Sequence, residues 1–143
     1  MISDRIRPVA LCVFRHKNRI LVFEGHDRSK NQIFYRPLGG SIEFGEHSSA
    51  TIRREIREEL GAEICHVVFL GSLEIIYTYN GQPGHELVQV YEADFVDPNF
   101  YERQSFDAVE DDGLPMTVLW KELDHFKAGK AILYPTGLLE LLG

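Results

Sequence analysis

Residues 39–62 read GGSIEFGEHSSATIRREIREELGA, and this stretch decides the fold and carries the candidate chemistry. Two adjacent glycines open it, in a Pro-Leu-Gly-Gly sequence that no helix tolerates. Apolar residues over 47–60 then recur near one face of a helix, and Gly61 follows as a C-terminal stop. We therefore expect a glycine-rich loop that leads into one amphipathic helix.

The predicted helix carries three carboxylates, Glu55, Glu58 and Glu59. Spacings of three and four residues place these side chains on one side of a helix, where like charges repel by about 0.2–0.5 kcal/mol per pair. A cation over the cluster removes that cost, and oxygen ligands of this kind suit Mg²⁺ or Mn²⁺. The alternative is a solvated acidic face on which Arg54 pairs with Glu58.

The residues that precede the helix favour a metal site over a solvated face. Gly39 and Gly40 allow the backbone to approach a ligand or metal closely, because they have no side chain. Glu46 lies just before the helix, beside its positive end. We therefore interpret the loop and the helix as one functional unit.

This arrangement resembles the Nudix box of MutT-type hydrolases, in which Gly and Glu precede the helical run Arg-Glu-apolar-x-Glu-Glu-x-Gly-apolar. Ala62 is smaller than the aliphatic residue that the family prefers there, which we interpret as a packing change. Many relatives carry Leu-Pro before the two glycines, whereas this chain has Pro37-Leu38, so the loop is expected to follow its own path. The matching positions are Gly40, Glu46, Arg54, Glu55, Ile56, Glu58, Glu59, Gly61 and Ala62.

The resemblance implies a single α+β domain over residues 1–143, a Nudix-type α/β/α sandwich with a mixed sheet between helices. It implies Mg²⁺-dependent (or Mn²⁺-dependent) hydrolysis of a phosphoanhydride bond in a nucleoside diphosphate linked to another moiety. Such substrates include a nucleotide sugar, for example ADP-ribose, and a (d)NTP. The alternative is a non-catalytic nucleotide-sensing module, because one fold hosts several functions. The intact set of helix carboxylates favours the pyrophosphohydrolase.

The resemblance also implies roles for individual residues. Glu58 and Glu59 are then the principal metal ligands, and Glu55 is a ligand or the base that activates water. The carbonyl of Gly39 or Gly40 completes the metal shell. The catalytic set is Glu55, Glu58, Glu59 and Arg54, with Arg54 orienting the carboxylates against Glu46 as a supporting residue.

Many relatives take a further acid from a distant loop. Here the candidate is Glu110, in the acidic segment Glu110-Asp111-Asp112, and the alternative is a solvated turn. Arg36, beside the glycines, is either a phosphate contact or a surface charge. Aromatic residues, among them Tyr35, either stack on a base or form core pairs; the others are Phe34, Tyr77 and Tyr79.

In the rest of the chain the residue patterns predict mostly strands. Runs at 8–15 and 19–24 form an early hairpin, and a short strand covers 32–35. Two long strands, 64–79 and 86–96, flank an Asn-Gly hairpin turn. The sequence further indicates a loop or short helix at 98–113, a strand at 116–120 and a closing helix at 136–142.

Composition limits the partners. A net charge of −7 argues against a binder of nucleic-acid polymers, but a bound cation still admits an anionic nucleotide. Cys12 and Cys65 lie in apolar runs and are expected to be buried. No signal-peptide core or membrane span is apparent, so we expect a cytoplasmic protein without a membrane partner. The resemblance adds a homodimer as a possible assembly.

Overall fold

The computed structural model describes residues 4–110 and 112–143, and its elements alternate strands with a few helices. The helices are α1 (Ser48–Leu60), α2 (Leu123–Lys127) and α3 (Leu138–Leu141), with a short 3₁₀ helix at Pro98–Tyr101. The strands are β1 (Arg7–Val13), β2 (Arg15–His16), β3 (Arg19–Asp27), β4 (Gln32–Arg36), β5 (Leu38–Ser41), β6 (Ile64–Tyr79), β7 (Gln82–Phe95), β8 (Ser105–Val109) and β9 (Pro115–Glu122).

The strands form two sheets. The first has the order β5-β1-β7-β6 and is mixed, because β1 is parallel to β7 and antiparallel to β5. The second has the order β2-β3-β9-β8, is antiparallel, and gains β4 on the side of β3. Asn80 and Gly81 both adopt positive φ in the turn between β6 and β7, as the Asn-Gly pair predicts.

Strand β1 is buried on both faces, so it separates two parts of the core. Ala10 and Cys12 point to one cluster, which also contains Ile52 and Ile56 of α1. The alternate residues of β1 point to a second cluster, which contains side chains of α2 and α3. Helices therefore cover opposite faces of the mixed sheet, the α/β/α arrangement expected from the sequence.

Helix α1 forms where the apolar spacing predicts it. Ile52 and Ile56 are fully buried one turn apart. Gly61 ends the helix in the left-handed conformation (φ 68°), and its N–H donates to the Arg57 carbonyl at 2.8 Å. The helix packs mainly on β5 and β1, so it holds the glycine-rich segment against the first sheet.

Several local expectations were wrong. The run at 8–15 does not form a hairpin with β3, because β1 pairs with β5 and β7 and, in this region, only the short β2 pairs with β3. The Pro-Leu-Gly-Gly segment is not only a loop, because Leu38–Ser41 pairs with β1 as an edge strand. The segment 98–113 contains strand β8 as well as the short 3₁₀ helix, since Phe106 and Ala108 alternate inward. Cys12 is buried as expected, but Cys65 is only half-buried.

The closing helix is shorter than expected, and a helix at residues 123–127 was not anticipated. Within residues 4–110 and 112–143, no helix has the length and apolar character needed to cross a membrane.

Candidate active site

Two glycines of β5 bring the first sheet and α1 into close contact. Gly39 has a φ of 154°, and a side chain there would collide with the carbonyl oxygen of Ala10 on the neighbouring strand. At Gly40 an added Cβ would lie 2.5 Å from the carboxylate of Glu55. The glycines are therefore required because β1 approaches one of them and the Glu55 carboxylate lies against the other.

Arg54 connects the residues around this contact. Its Nε lies 2.8 Å from Oε2 of Glu46 and its Nη2 lies 3.0 Å from Oε1, a two-point ion pair. Its Nη1 lies 2.8 Å from Oε1 of Glu55, and Nη2 also donates to the Ser41 carbonyl at 3.1 Å. One guanidinium thus fixes the segment before the helix, the glycine strand and a helix carboxylate together.

The pairing of Arg54 with Glu46 keeps both of these groups ionised. The hydrogen bonds from Arg54 and then from Thr51 hold the pKa of Glu46 at about 2. The same Glu46 pairing, together with Glu55, raises the pKa of Arg54 above its already high ordinary value. The carboxylate and the guanidinium therefore stay ionised at every pH at which the protein is expected to work.

The three helix carboxylates occupy different environments. Glu55 is buried, with 2% of its surface exposed. Glu59 is half-buried, and its Oε1 atom is shielded from solvent, as is Oε2 of Glu55. The Glu58 side chain is 53% exposed and lies 3.4 Å from Nη1 of Arg54. The helix turns two carboxylates inward and leaves the third on its solvent side.

A cavity of about 420 Å³ opens beside these glycines, and we call it the helix-side cavity. Gly39 and Gly40 of β5 and Glu59 of α1 line one side of it, and Glu110 and Asp112 line it from the loop between β8 and β9. The loop is closed by hydrogen bonds from the Glu110 N–H to the Leu114 carbonyl and from the Gly113 N–H to the Glu110 carbonyl. Asp111, the middle residue of the acidic segment, lies outside the described residues.

The donor set of this cavity fits a hard divalent cation. Carboxylates and peptide carbonyls are the oxygen ligands that Mg²⁺ takes. Among the described residues no three acidic, histidine or cysteine side chains stand close enough to hold an ion by themselves. Mg²⁺ does not need such a cage, because it is commonly held by one or two carboxylates together with water and substrate phosphates.

A second cavity, of about 1000 Å³, adjoins the first and is called here the aromatic cavity. Its walls come from β3, β4 and β6 and from the segment before α3. Phe34 meets Tyr79 edge-on at 5.9 Å between ring centroids and Tyr134 at 5.3 Å. Four residues line both cavities and so mark the passage between them: Arg7, Phe23, Arg36 and Glu110.

Phe34 and Tyr35, which the sequence analysis grouped together, lie on opposite faces of β4. Phe34 faces the aromatic cavity, but the next residue along β4, Tyr35, points to the opposite face of the strand. The Tyr35 ring packs 6.0 Å from Phe126, and Nζ of Lys121 lies 4.7 Å from its centroid. This placement favours the alternative of a core pair for Tyr35, whereas Phe34 lines the aromatic cavity.

Arg36 lies in the passage, where Nη2 lies 2.8 Å from Oε1 of Glu86. Sequence reasoning missed Glu86, a carboxylate with 2% exposure. A signal was present, because Glu86, Val88 and Val90 follow the two-residue period that points side chains to one face of a strand. Arg7 was also missed, and its position near the chain start gave no local signal.

Comparison with known proteins gives a match over most of the chain. A family model described as NUDIX domain matches residues 4–131. A curated relative, the NAD-capped RNA hydrolase NudC of Vibrio atlanticus (strain LGP32), is 32% identical over 68 residues, or 48% of this chain. The chain spans only 24% of the length of that relative.

Solved structures show the same fold. A NUDIX hydrolase from Nitrosomonas europaea superimposes with a TM-score of 0.65 at 19% identity, covering 96% of this chain and 86% of that one. A MutT NUDIX hydrolase from Burkholderia pseudomallei gives a TM-score of 0.59 at 20% identity, covering 96% and 95%. The expected fold class is confirmed by these likenesses.

Proposed function

This chain belongs to the NUDIX domain family, and on that premise we propose that it is a pyrophosphohydrolase. Its substrate is a nucleoside diphosphate linked to another moiety, either a nucleotide sugar such as ADP-ribose or a (d)NTP. The observation that carries the proposal is the placement of Glu59, Glu110 and the two glycines around one cavity, with Glu55 against Gly40. The family resemblance noted in residues 40–62 is confirmed by the same match.

We assign the divalent cation, Mg²⁺ or Mn²⁺, to the helix-side cavity. Glu59 and Glu55 would hold it, with a carbonyl of Gly39 or Gly40 and the carboxylate of Glu110. When bound there, such an ion supplies charge neutralisation for the diphosphate and lowers the pKa of bound water. The cation also offsets the electrostatic repulsion between a polyanionic substrate and a protein of net charge −7.

Glu58 needs a separate statement, because the sequence ranked it with Glu59. In the structure it lies on the solvent side of α1, 3.4 Å from Arg54. Its proposed part as a ligand therefore requires that weak ion pair to open. Glu59 lines the cavity, and the Glu55 carboxylate lies against Gly40, which also lines it.

The remaining residues orient the metal ligands or transfer protons. Arg54, braced by Glu46, fixes the carboxylate of Glu55, and groups that fix ligands in this way commonly change metal affinity 10- to 100-fold. Glu55, which lies against Gly40, or Glu110, which lines the cavity, would take the proton of the attacking water when it does not hold the cation, since a general base must lie within hydrogen-bond reach. The passage arginines face the negative charge of the substrate.

A turnover assay distinguishes the hydrolase from the alternative, a non-catalytic nucleotide sensor. The purified protein is incubated with Mg²⁺ or Mn²⁺ and a panel of ADP-ribose, another nucleotide sugar, (d)NTPs and a dinucleotide, and released phosphate and pyrophosphate are measured. We expect cleavage of at least one diphosphate. Binding without cleavage of any compound would support the sensor and contradict the hydrolase. A cytoplasmic location and a homodimer stay predictions of the sequence.

Glu59→Gln and Glu63→Gln form a matched pair for this assay. Glu59 lies on α1 and lines the cavity. Glu63 is an exposed acid just beyond the end of α1, and it pairs with Arg57. We expect Glu59→Gln to lower kcat by about 100-fold or more, in the range of an essential electrostatic group. Glu63→Gln is expected to keep the wild-type rate. Equal rates in all three proteins would contradict the proposed site.

A further inference from the structure

Glu86 is a buried carboxylate at the passage between the two cavities, and it binds three side chains. Its Oε1 accepts a hydrogen bond from Nη2 of Arg36 at 2.8 Å. Its Oε2 accepts from Nη1 of Arg7 at 3.3 Å and from the hydroxyl of Tyr77 at 3.0 Å. With 2% of its surface exposed, Glu86 is screened little by water, so these partners are needed to keep its charge in the interior.

We propose that Glu86 is a positioning residue that holds Arg7 and Arg36 together as a phosphate-binding pair at this passage. The inference rests on the proposed function and deepens it. It assigns a substrate whose diphosphate lies at the passage, with the nucleoside in the aromatic cavity and the reacting end in the helix-side cavity.

The charge of the group suits an anion. Arg7, Arg36 and Glu86 together carry a net charge of +1, within a chain whose net charge is −7, and Glu110 at the same passage is the acid assigned to the cation in the proposed function. Both arginines line both cavities, so a ligand extending from one cavity into the other passes them. The positive group therefore lies where a bridging diphosphate needs it.

The arginines keep donors for a ligand. A guanidinium has five N–H donors in a planar fork that matches phosphate. Arg7 donates through Nε to Ser41 and through Nη1 to Glu86, and Arg36 donates through Nη2. These bonds orient the two side chains without using all their donors. The side chains are 53% and 21% exposed, so both reach the open space of the cavities.

Tyr77 ties the pair to the aromatic cavity. Its ring lies over Gly84 on the neighbouring strand, where an added Cβ would collide with it. Burial, followed by the charge of Glu86, raises the pKa of Tyr77, so the hydroxyl remains protonated and donates. The wall of the aromatic cavity thus helps to fix the orientation of Glu86.

Ser41 ties the same pair to the helix. Its Oγ accepts from Nε of Arg7 at 2.8 Å, and its carbonyl oxygen accepts from Nη2 of Arg54 at 3.1 Å. A single residue therefore separates the passage arginine from the arginine that orients Glu55. The phosphate-binding pair is held at a fixed position relative to the carboxylates of α1.

Glu86→Gln distinguishes positioning from simple electrostatics by the sign of its effect. The variant raises the net charge of the group from +1 to +2, so charge alone predicts tighter phosphate binding. Positioning predicts the opposite, because an amide has only one acceptor oxygen and places an N–H donor against the second arginine. We expect the KM for ADP-ribose, or for the best substrate of the panel, to rise about tenfold while kcat changes less than threefold.

Equilibrium binding tests the inference without turnover. The Kd of ADP is measured calorimetrically in the presence of a chelator for wild type, Glu86→Gln and Glu92→Gln. Glu92 lies on the same strand and pairs with an arginine, Arg15, at 3.8 Å, with 37% of its side chain exposed. We expect about tenfold weaker ADP binding for Glu86→Gln and no change for the control.

A second variant covers the case in which Glu86→Gln does not fold. Arg36→Lys keeps the charge but loses the planar fork, so it is expected to weaken ADP binding about tenfold. Tighter or unchanged ADP binding in the folded variants overturns the inference, as does a wild type that does not bind ADP. If wild type binds ADP through the pair but cleaves nothing, the proposed function fails and the positioning role stands.

Discussion

Arg54 binds Glu46 at two points, with Nε 2.8 Å from Oε2 and Nη2 3.0 Å from Oε1. The third nitrogen of the same guanidinium lies 2.8 Å from Oε1 of Glu55. Since Glu46 precedes α1 and Glu55 lies in its second half, the guanidinium links the start of the helix to its buried carboxylate. The orientation of that carboxylate therefore depends on a residue that need not touch the substrate.

Replacing Arg54 by Lys should weaken metal binding more than it weakens the fold. An ammonium cannot make the two-point contact and also reach Glu55, so we expect 10- to 100-fold lower Mn²⁺ affinity, measured by electron paramagnetic resonance. Arg57→Lys is the matched control, because Arg57 makes a similar two-point pair with Glu63 in an exposed position. Equal Mn²⁺ affinity in the two variants would rule out an orienting role for Arg54.

Gly40→Ala should affect the same carboxylate from the other side. The added methyl group would lie 2.5 Å from the Glu55 carboxylate, which Arg54 and burial prevent from moving away easily. We expect at least a tenfold loss of kcat in a protein that still unfolds cooperatively on heating. Wild-type kcat in Gly40→Ala would show that the position of Glu55 is not critical.

The pH dependence of stability should reveal the Glu46 pair. Its pKa of about 2 in the fold, against an ordinary value of 4.5, means that ionised Glu46 stabilises the folded state above pH 4.5. This contribution is lost as the pH falls from about 4.5 to about 2. We expect the free energy of unfolding of wild type minus that of Glu46→Gln to be constant from pH 7 to 5 and to shrink at pH 3, as measured by urea unfolding. A difference that does not change with pH would contradict the pairing.

The aromatic cavity should contribute to the KM for nucleoside-containing substrates. Tyr79 borders that cavity and is 42% exposed, so Tyr79→Ala removes a stacking surface with little disturbance of the core. Base–aromatic stacking is worth about 1–3 kcal/mol, so a rise in KM of about fivefold or more is expected. Tyr35→Phe is the control, because Tyr35 lies on the other face of β4. Similar kinetics in both variants would argue against a base in this cavity.

Local patterns predicted the parts of the fold that depend on near neighbours. Helix α1 with its Gly61 terminus and the β6–β7 hairpin with its Asn-Gly turn follow from spacings within a few residues. The glycine strand was missed because its partner, β1, lies about 30 residues away and nothing local to residues 38–41 announces pairing. Strand β8 was missed because its five residues alternate within a polar and acidic segment.

Local spacing grouped the candidate site only where it is contiguous, and Glu110 was added by the family resemblance. The helix carboxylates and their arginine lie within one short stretch, so spacing was sufficient to group them. Glu86 lies 79 residues from Arg7 and 50 from Arg36, and such contacts are set by strand order and not by local period. The placement of Glu58 on the solvent side also depended on how α1 rotates against the sheet, which spacing alone leaves open.

Strand β1 pairs in parallel with β7, from Arg7 opposite Glu86 to Val13 opposite Glu92. During synthesis the first sheet therefore cannot be completed until β7 has been made. At about 5–20 residues per second, synthesis takes roughly 4–16 s to advance from the first of these partners to the second. Throughout that interval the apolar strand β1 lacks its neighbour β7, and residues 39–62 have no complete sheet to pack against. A chain that ends before residue 86 should therefore remain inactive, although the motif in residues 39–62 is already complete.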